Sequence, residues 1–315
     1  MGRFIVTRIG TLLVTMLLVS FLIFLVVEVL SDVSICRRIL GQFATDAQVA
    51  SCDHQMGNDR NFFIRYGDFL WGAVRGDFGV STFAQQRVMD AVLPRLGNTL
   101  MLAGVAFVVI MPLALVLGVI AALNEGRLLD RIISVSTLTA TSIPEIATGI
   151  FLLIIFVSWL GLLPGATVVP SGESLYQHPE FFVLPVLTLT LIEVGYVARI
   201  TRASMVEVLD SAYIRTAYLK GLSYWKIVLR HALRNALMAP VAIIMLHVNW
   251  LIGGVVVTEV IFGFPGLGRF MLDVALLRDV FAIEAGALVL VLVAVGSQLI
   301  ADIAYTFLNP RIRFT

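Results

Sequence analysis

The chain is predicted to be an all-α polytopic membrane protein with six membrane-crossing helices, and three observations carry that prediction. Of its 315 residues, 59% are hydrophobic and 14% charged, against about 25% charged in an ordinary soluble domain. The mean hydropathy is +0.96, so there is too little charge to cover a water-soluble globule of this size. The apolar residues fall in continuous runs rather than in alternation, which disfavours a membrane barrel, and open strands cannot cross lipid with unsatisfied edges. The 20 Phe and the aliphatic runs also exclude disorder.

A helix needs roughly 20 apolar residues to cross about 30 Å of hydrocarbon at about 1.5 Å per residue. Ile9 to Val27 supplies 19 uncharged residues and forms the first span. It reads as an uncleaved signal anchor, because the run exceeds the roughly 7–15 residues of a signal h-region and no A-x-A site follows. Residues 31–97 are the only sizeable extramembrane segment before the bundle, with seven Asp against seven Arg. Within it Phe62, Phe63, Tyr66, Phe69, Leu70 and Ala73 recur at helical spacing. Asp59 is placed to cap that helix and Gly76 to end it. Such an amphipathic helix lies over the bundle or on the membrane surface, as a packing lid or as a docking surface. Cys36 and Cys52 share the segment. In an oxidising compartment they can pair, closing a loop that contributes roughly 3 kcal/mol; otherwise they are independent thiols.

The second span lies between Arg95 and Glu125, with 29 uncharged residues. The third runs from Arg131 to about Leu160 and is interrupted by Pro144-Glu145. The fourth starts near Phe182 and contains Glu193 before reaching Arg199. The fifth lies within Asn235 to Thr258, 24 uncharged residues, and the sixth runs from Phe281 to Asp302. Pro112, Pro144 and Pro185 mark kinks or helix starts. The chain thus divides into residues 1–93 (first helix and outer segment), 94–308 (membrane domain) and 309–315 (tail). Lys and Arg set the orientation: with the N-terminus inside, the short loops and ends hold 13 basic residues inside against 2 outside. Both termini are therefore expected to be cytoplasmic. The net charge of +1 gives no global field to attract nucleic acid, and two Cys cannot form a four-ligand zinc site. No metal site is expected.

The most informative stretch is Arg199 to Pro240, a loop between spans with a helical pattern. Asp210 or Ser211 can cap a helix through Lys220, Gly221 suits the left-handed position that ends it, and Ser223 can cap a second helix. The result is two helices meeting at a glycine elbow. Ala212, Thr216 and Ala217 leave one face open to close approach, and basic residues surround it. An amphipathic hairpin on anionic membrane lipid and a protruding elbow for a cytoplasmic partner both fit.

This segment resembles the cytoplasmic loop of permease subunits in binding-protein-dependent ABC importers, whose form is E-A-A-x3-G-x9-I-x-L-P. Arg215 and Thr216 replace the Glu and first Ala, and His231 and Arg234 stand where Ile and Pro are usual. The departures are those of the di- and oligopeptide branch, whose loop is similar to Tyr213, Arg215-Thr216-Ala217, Lys220-Gly221-Leu222-Ser223 and Arg230 to Leu237 followed by Pro240. Gly76-Asp77-Phe78-Gly79-x-Ser81, Ser142-Ile143-Pro144, Glu259-x-x-Phe262-x-x-Pro265-Gly266-Leu267-Gly268 and Asp302-x-x-Tyr305 with Pro310-Arg311-Ile312-Arg313 resemble further motifs of that branch. Asn309 stands in place of its usual Asp. The resemblance covers nearly the whole chain and implies a type-1 importer permease fold over 94–308 in a bacterial inner membrane.

In that family the elbow, here Tyr213 to Ser223, sits in a groove of an ATPase. The resemblance implies two cytoplasmic ATPase subunits carrying ATP-Mg, a second homologous permease as heterodimer partner and a periplasmic solute-binding protein. The cargo is a peptide or similar small polar solute. The chain itself needs no cofactor: its two lysines, Lys220 and Lys226, follow Leu219 and Trp225, so a G-x-x-x-x-G-K-[ST] phosphate loop is absent.

Phe262-Gly263-Phe264-Pro265-Gly266-Leu267-Gly268 disfavours a continuous helix. With Glu259 it is either a loop lining an outer gate or a connecting turn. Glu145, Glu193, Glu284 and Asp302 are intramembrane carboxylates open to structural pairing, path lining or proton transfer. Glu193, Asn249 and Trp250 are assigned to the path, since a mid-span amide needs a partner or water. A proton-coupled secondary transporter is the competing transport reading. A membrane enzyme is the third, with four scattered His, no H-E-x-x-H helix and no G-x-S-x-G elbow.

Overall fold

The computed structural model describes residues 2–29, 35–41, 43–57, 59–170 and 172–308; the tail at 309–315 lies outside them. Among the described residues the regular elements are helices: α1 Gly2–Phe24, α2 Ile35–Leu40, α3 Asp46–Met56, α4 Phe62–Arg75, α5 Val88–Leu123, α6 Leu128–Ser142 and α7 Glu145–Leu153. They continue with α8 Glu180–Leu209, α9 Ala212–Leu219, α10 Tyr224–Lys226, α11 Leu233–Ala236, α12 Met238–Ile261, α13 Leu267–Leu276 and α14 Val280–Leu308. Turns of π-helix extend α1 to Val29, extend α7 to Trp159 and join α10 to α11.

Four helices cross a membrane by length and composition: Val6–Val27, Val88–Leu123, Glu180–Leu209 and Val280–Ala304. Two bent pairs, Leu128–Ser142 with Glu145–Trp159 at 102° and Tyr224–Ala236 with Met238–Met245 at 41°, bring the number to as many as six when each pair is counted as one broken span. The third span is therefore not one interrupted helix but two. Pro144 forces the break: the residue before a proline is driven from the helical region, and Ile143 sits extended at φ −86°, ψ 131°. Pro185 lies inside α8, which continues through it, and α5 likewise runs on through Pro112.

The chain forms two compact units, Met1–Asn98 with Pro265–Gly296 and Thr99–Phe264 with Ser297–Thr315. In the first, the Cys36 and Cys52 sulfurs are bonded and their Cα atoms are 5.8 Å apart, joining α2 to α3. The cap of α4 is Asn61, whose side chain accepts from Phe63 N at 2.9 Å. Asp59, the expected cap, faces His54 at 3.4 Å instead. Gly76 ends α4 at φ +70°, as the spacing predicts. Buried Asp279 pins the chain around residues 81–83: it accepts from Ser81 Oγ at 2.6 Å and from the Phe83 and Ala282 amides at 3.0 and 3.3 Å.

The second unit is built around α8. Helices meet it where glycine removes the side chain, the close approach that small residues permit between membrane helices. A Cβ at Gly118 of α5 would sit 2.5 Å from the Ala198 carbonyl oxygen, and one at Gly195 of α8 2.7 Å from the Thr137 carbonyl oxygen of α6. The α12 backbone approaches Leu189 at Gly254, where a Cβ would stand 3.2 Å from the leucine methyl.

Candidate functional site

The elbow grows from the end of α8. Ser211 is extended (φ −68°, ψ 151°) and starts α9, and Gly221 ends it at φ +75°. The amides of Gly221 and Leu222 close the turn on the carbonyls of Tyr218 (2.9 Å) and Ala217 (3.3 Å). Nothing lies within 4 Å of a Cβ built on Gly221, so its backbone angle alone demands glycine. Extended Ser223 then opens α10, its carbonyl accepting from Ile227 N at 3.0 Å.

The inner face of both arms is a hydrophobic core. Ile214, Ala217, Ile227, Val228 and Ala232 are buried with Met205 of α8 and Ala122 of α5. Ala217 thus belongs to the inner face rather than to an open one, because it lies one turn from Ile214; Ala212 and Thr216 stay exposed. Leu222 packs partly buried on the same core. Two polar ties brace the arms. Ser204 Oγ of α8 donates to the Ala236 carbonyl at 2.7 Å, and Asn235 Nδ2 donates to Tyr213 Oη at 2.9 Å. The outer face is an apolar tip with Leu219 83% and Trp225 62% exposed. Exposed Arg215, Lys220, Ser223, Lys226 and Arg230 stand around it.

A cavity of about 700 Å³ opens among α5, α6, α8 and α12. Ser134, Thr137 and Thr141 of α6 line it with Glu193, Tyr196, Arg199 and Arg202 of α8 and His247 and Trp250 of α12. The Glu193 carboxylate lies 2.8 Å from His247 Nδ1, and the His247 ring lies tilted against Tyr196 with ring centres 4.5 Å apart. The Arg199 guanidinium sits 5.7 Å from the Tyr196 ring centre. Arg202 binds Asp130 through two contacts of 2.6 and 2.7 Å, and Asp130 also accepts from Gly126 N (3.0 Å) and Ser134 Oγ (3.3 Å). Of the assigned path residues, Glu193 and Trp250 come together here. The side chain of Asn249 lies outside the described residues.

The other carboxylates have local duties. Glu145 accepts from Thr258 Oγ1 at 2.8 Å and buried Glu259 from Thr99 Oγ1 at 2.5 Å. Asp302 accepts from Gln298 Nε2 at 3.1 Å. The segment assigned to the gate is shorter than the sequence suggests. Leu267 begins α13, so Gly268 is helical and buried, and only Phe262 to Gly266 is non-helical. Its rings turn inward: Phe264 is fully buried 5.3 Å from the Phe182 ring, and Phe262 packs with Leu152 and Leu184. In the first unit, the Pro265 carbonyl accepts from Asn98 Nδ2 at 2.8 Å. These rings fill core rather than line a mouth, since burying two Phe is worth more than exposing them.

His247, Arg199 and the Asp130–Arg202 pair escape sequence reasoning. Only the stripe Ser134, Thr137, Thr141, polar at helical spacing within an apolar span, offers a signal. Among the described residues no group of three or more His, Cys, Asp or Glu is placed to hold a metal ion.

Residues 114–314 match the family described as binding-protein-dependent transport system inner membrane component, and residues 1–103 match the family describing the N-terminal part of such components. The chain belongs to this family. It is 36% identical over 315 residues, the whole of both chains, to the glutathione transport system permease protein GsiC of Escherichia coli. Two solved structures share the fold. An amino acid ABC transporter aligns with a TM-score of 0.51 at 16% identity, over 71% of this chain and 95% of that one. The MetNI methionine ABC transporter in inward-facing conformations aligns with a TM-score of 0.54 at 18% identity, over 70% and 97%. The protein is thus a multi-pass permease subunit of an ABC importer with the type-1 fold. It is a transport component rather than an enzyme, and its family works with separate ATPase and solute-binding subunits. The proton-coupled reading has no support.

Proposed function

We propose that this chain forms half of the path for peptides or similar small polar solutes across a bacterial inner membrane, with both termini cytoplasmic. A second homologous permease completes the path as a heterodimer. Two ATPase subunits carrying ATP-Mg seat the elbow from Tyr213 to Ser223, and a periplasmic binding protein delivers cargo. One observation carries the mechanism: the elbow core reaches Met205 on the same helix that presents Glu193, Tyr196, Arg199 and Arg202 to the cavity. Motion of the elbow becomes motion of the cavity wall. The cavity offers a carboxylate at Glu193 and a guanidinium at Arg199, charges suited to the ammonium and carboxylate ends of a free peptide. Glutathione, named for the relative GsiC, is a peptide of this size class. Asn249 and Trp250 belong to the path in this reading.

Gly221→Glu tests it. A glutamate places a charged side chain at φ +75° on the outer face of the elbow. Membrane insertion should stay intact while the ATPase no longer co-purifies and transport is lost. A variant that keeps its ATPase and transports normally refutes the coupling role.

A further inference from the structure

Helix α4 has no task in the transport cycle described above, yet it has three faces rather than two. At about 100° per residue, Phe62, Tyr66 and Phe69 share one face and pack on α1. The Phe62 ring lies 5.9 Å from Phe21 and 5.4 Å from Phe24; Tyr66 lies 5.4 Å from Phe21, and Phe69 5.4 Å from Phe24. Tyr66 Oη reaches Ser20 Oγ at 2.8 Å and the Leu17 carbonyl at 3.2 Å. The next face is apolar and uncovered: Phe63 is 72% exposed, Ile64 55%, Trp71 59% and Val74 81%. Only the third, narrow face is charged, with Asp68 3.6 Å from Arg60 and Arg75 over the Trp71 ring at 4.3 Å.

Depth decides what covers the second face. The uncharged run of α1, Ile9 to Val27, ends at Glu28. Its 19 residues span about 28 Å, one hydrocarbon thickness, so Glu28 marks the membrane edge. Phe21 and Phe24 precede Glu28 by seven and four residues, which sets the α1–α4 contact roughly 6–10 Å inside that edge. Interfacial helices bury their apolar faces to about 5–10 Å. On α1 itself, Leu22 and Val26 are exposed near this level, so the exposed apolar residues of α4 stand beside exposed apolar residues of a membrane-length helix. The Glu284 carboxylate lies near the Arg65 guanidinium. Glu284 is itself buried, with Oε1 lacking a hydrogen bond.

We propose that α4 is an interfacial membrane helix whose Phe63, Ile64, Trp71 and Val74 face sits among lipid acyl chains and headgroups at the Glu28 end of α1. The bilayer is its partner. Arg75 shields Trp71 on the water side, and the helix ties the disulfide-linked α2–α3 pair to the membrane surface.

The test uses the assembled transporter in phosphatidylcholine vesicles brominated either near the carbonyl end or near the methyl end of the acyl chain. The emission lost between wild type and Trp71→Phe isolates Trp71. Shallow bromines should quench that component more strongly than deep ones, and aqueous acrylamide should quench it weakly. Moving the probe with Phe63→Trp in the Trp71→Phe background should give the same ranking at the other end of the helix. Quenching by acrylamide with none by brominated lipid puts the helix in water and overturns the proposal. Protection from both quenchers means that a protein covers the face, and also overturns it.

Discussion

Removing Arg202 should destabilise the second unit more than removing its partner Asp130. The Arg202→Leu variant strips Asp130 of its 2.6 and 2.7 Å donors and leaves only Gly126 N at 3.0 Å and Ser134 Oγ at 3.3 Å. The Asp130 side chain is only 8% exposed, so a carboxylate is left desolvated and half satisfied. Breaking a buried pair from one side costs about 3–5 kcal/mol; the two surviving donors place this case near about 3 kcal/mol. Asp130→Ala leaves the opposite orphan in a milder setting. Arg202 is 28% exposed and keeps Glu125 at 3.8 Å, so the expected loss is about 1–2 kcal/mol. The double variant carries no orphaned charge and should recover at least about 1 kcal/mol relative to Arg202→Leu. The assay is thermal: heat the purified transporter in detergent, then measure the fraction still monodisperse by size exclusion. The midpoints should rank wild type above Asp130→Ala, and the double variant above Arg202→Leu. A double variant as damaged as the sum of the singles would falsify the desolvation argument, and a silent Arg202→Leu would remove its premise.

Two further outcomes are expected. Gly118→Leu drives a side chain into the Ala198 carbonyl and Thr201, where even a Cβ would stand 2.5 Å away. It should lose roughly 1–3 kcal/mol to overpacking. Gly104→Ala on the same helix meets nothing within 4 Å and serves as the control, both read by the same thermal assay; equal midpoints contradict the close crossing. His178 concerns pH: Glu180 lies 3.0 Å from Nδ1 and Glu173 2.5 Å from Nε2, which raises the imidazole above its ordinary pKa. A pKa raised by folding stabilises fully below the unfolded value of about 6.5 and loses that contribution as pH rises through the folded value. The stability advantage of wild type over His178→Gln should therefore shrink as pH climbs above that range. An advantage that grows with pH reverses the sign and refutes the pairing.

How much was legible follows from the range of each interaction. The elbow could be read because its signals are local: Gly221 is glycine for its own φ, and Ser223 opens the helix directly after it. The direction of Ala217 could not, because an alanine is as suited to an open face as to a core, and only Met205 of α8 selects the inner one. Asp59 and Asn61 are both competent caps; Asn61 takes the role, and Asp59 lies 3.4 Å from His54 Nδ1 instead.

Hydrophobic runs determined the membrane class and the long-helix fold, since a segment's solvation in lipid depends on its own composition. The glycine elbow and the order of motifs along the chain placed the protein among importer permeases. Tertiary structure alone decided which polar side chains meet. Glu193 and His247 are 54 residues apart and Asp130 and Arg202 are 72 apart. It also set the 102° turn at Pro144 and the depth at which α4 rests on α1. Such pairings depend on how helices cross, and crossing is chosen where glycines let two backbones touch, a property of both helices at once rather than of either sequence.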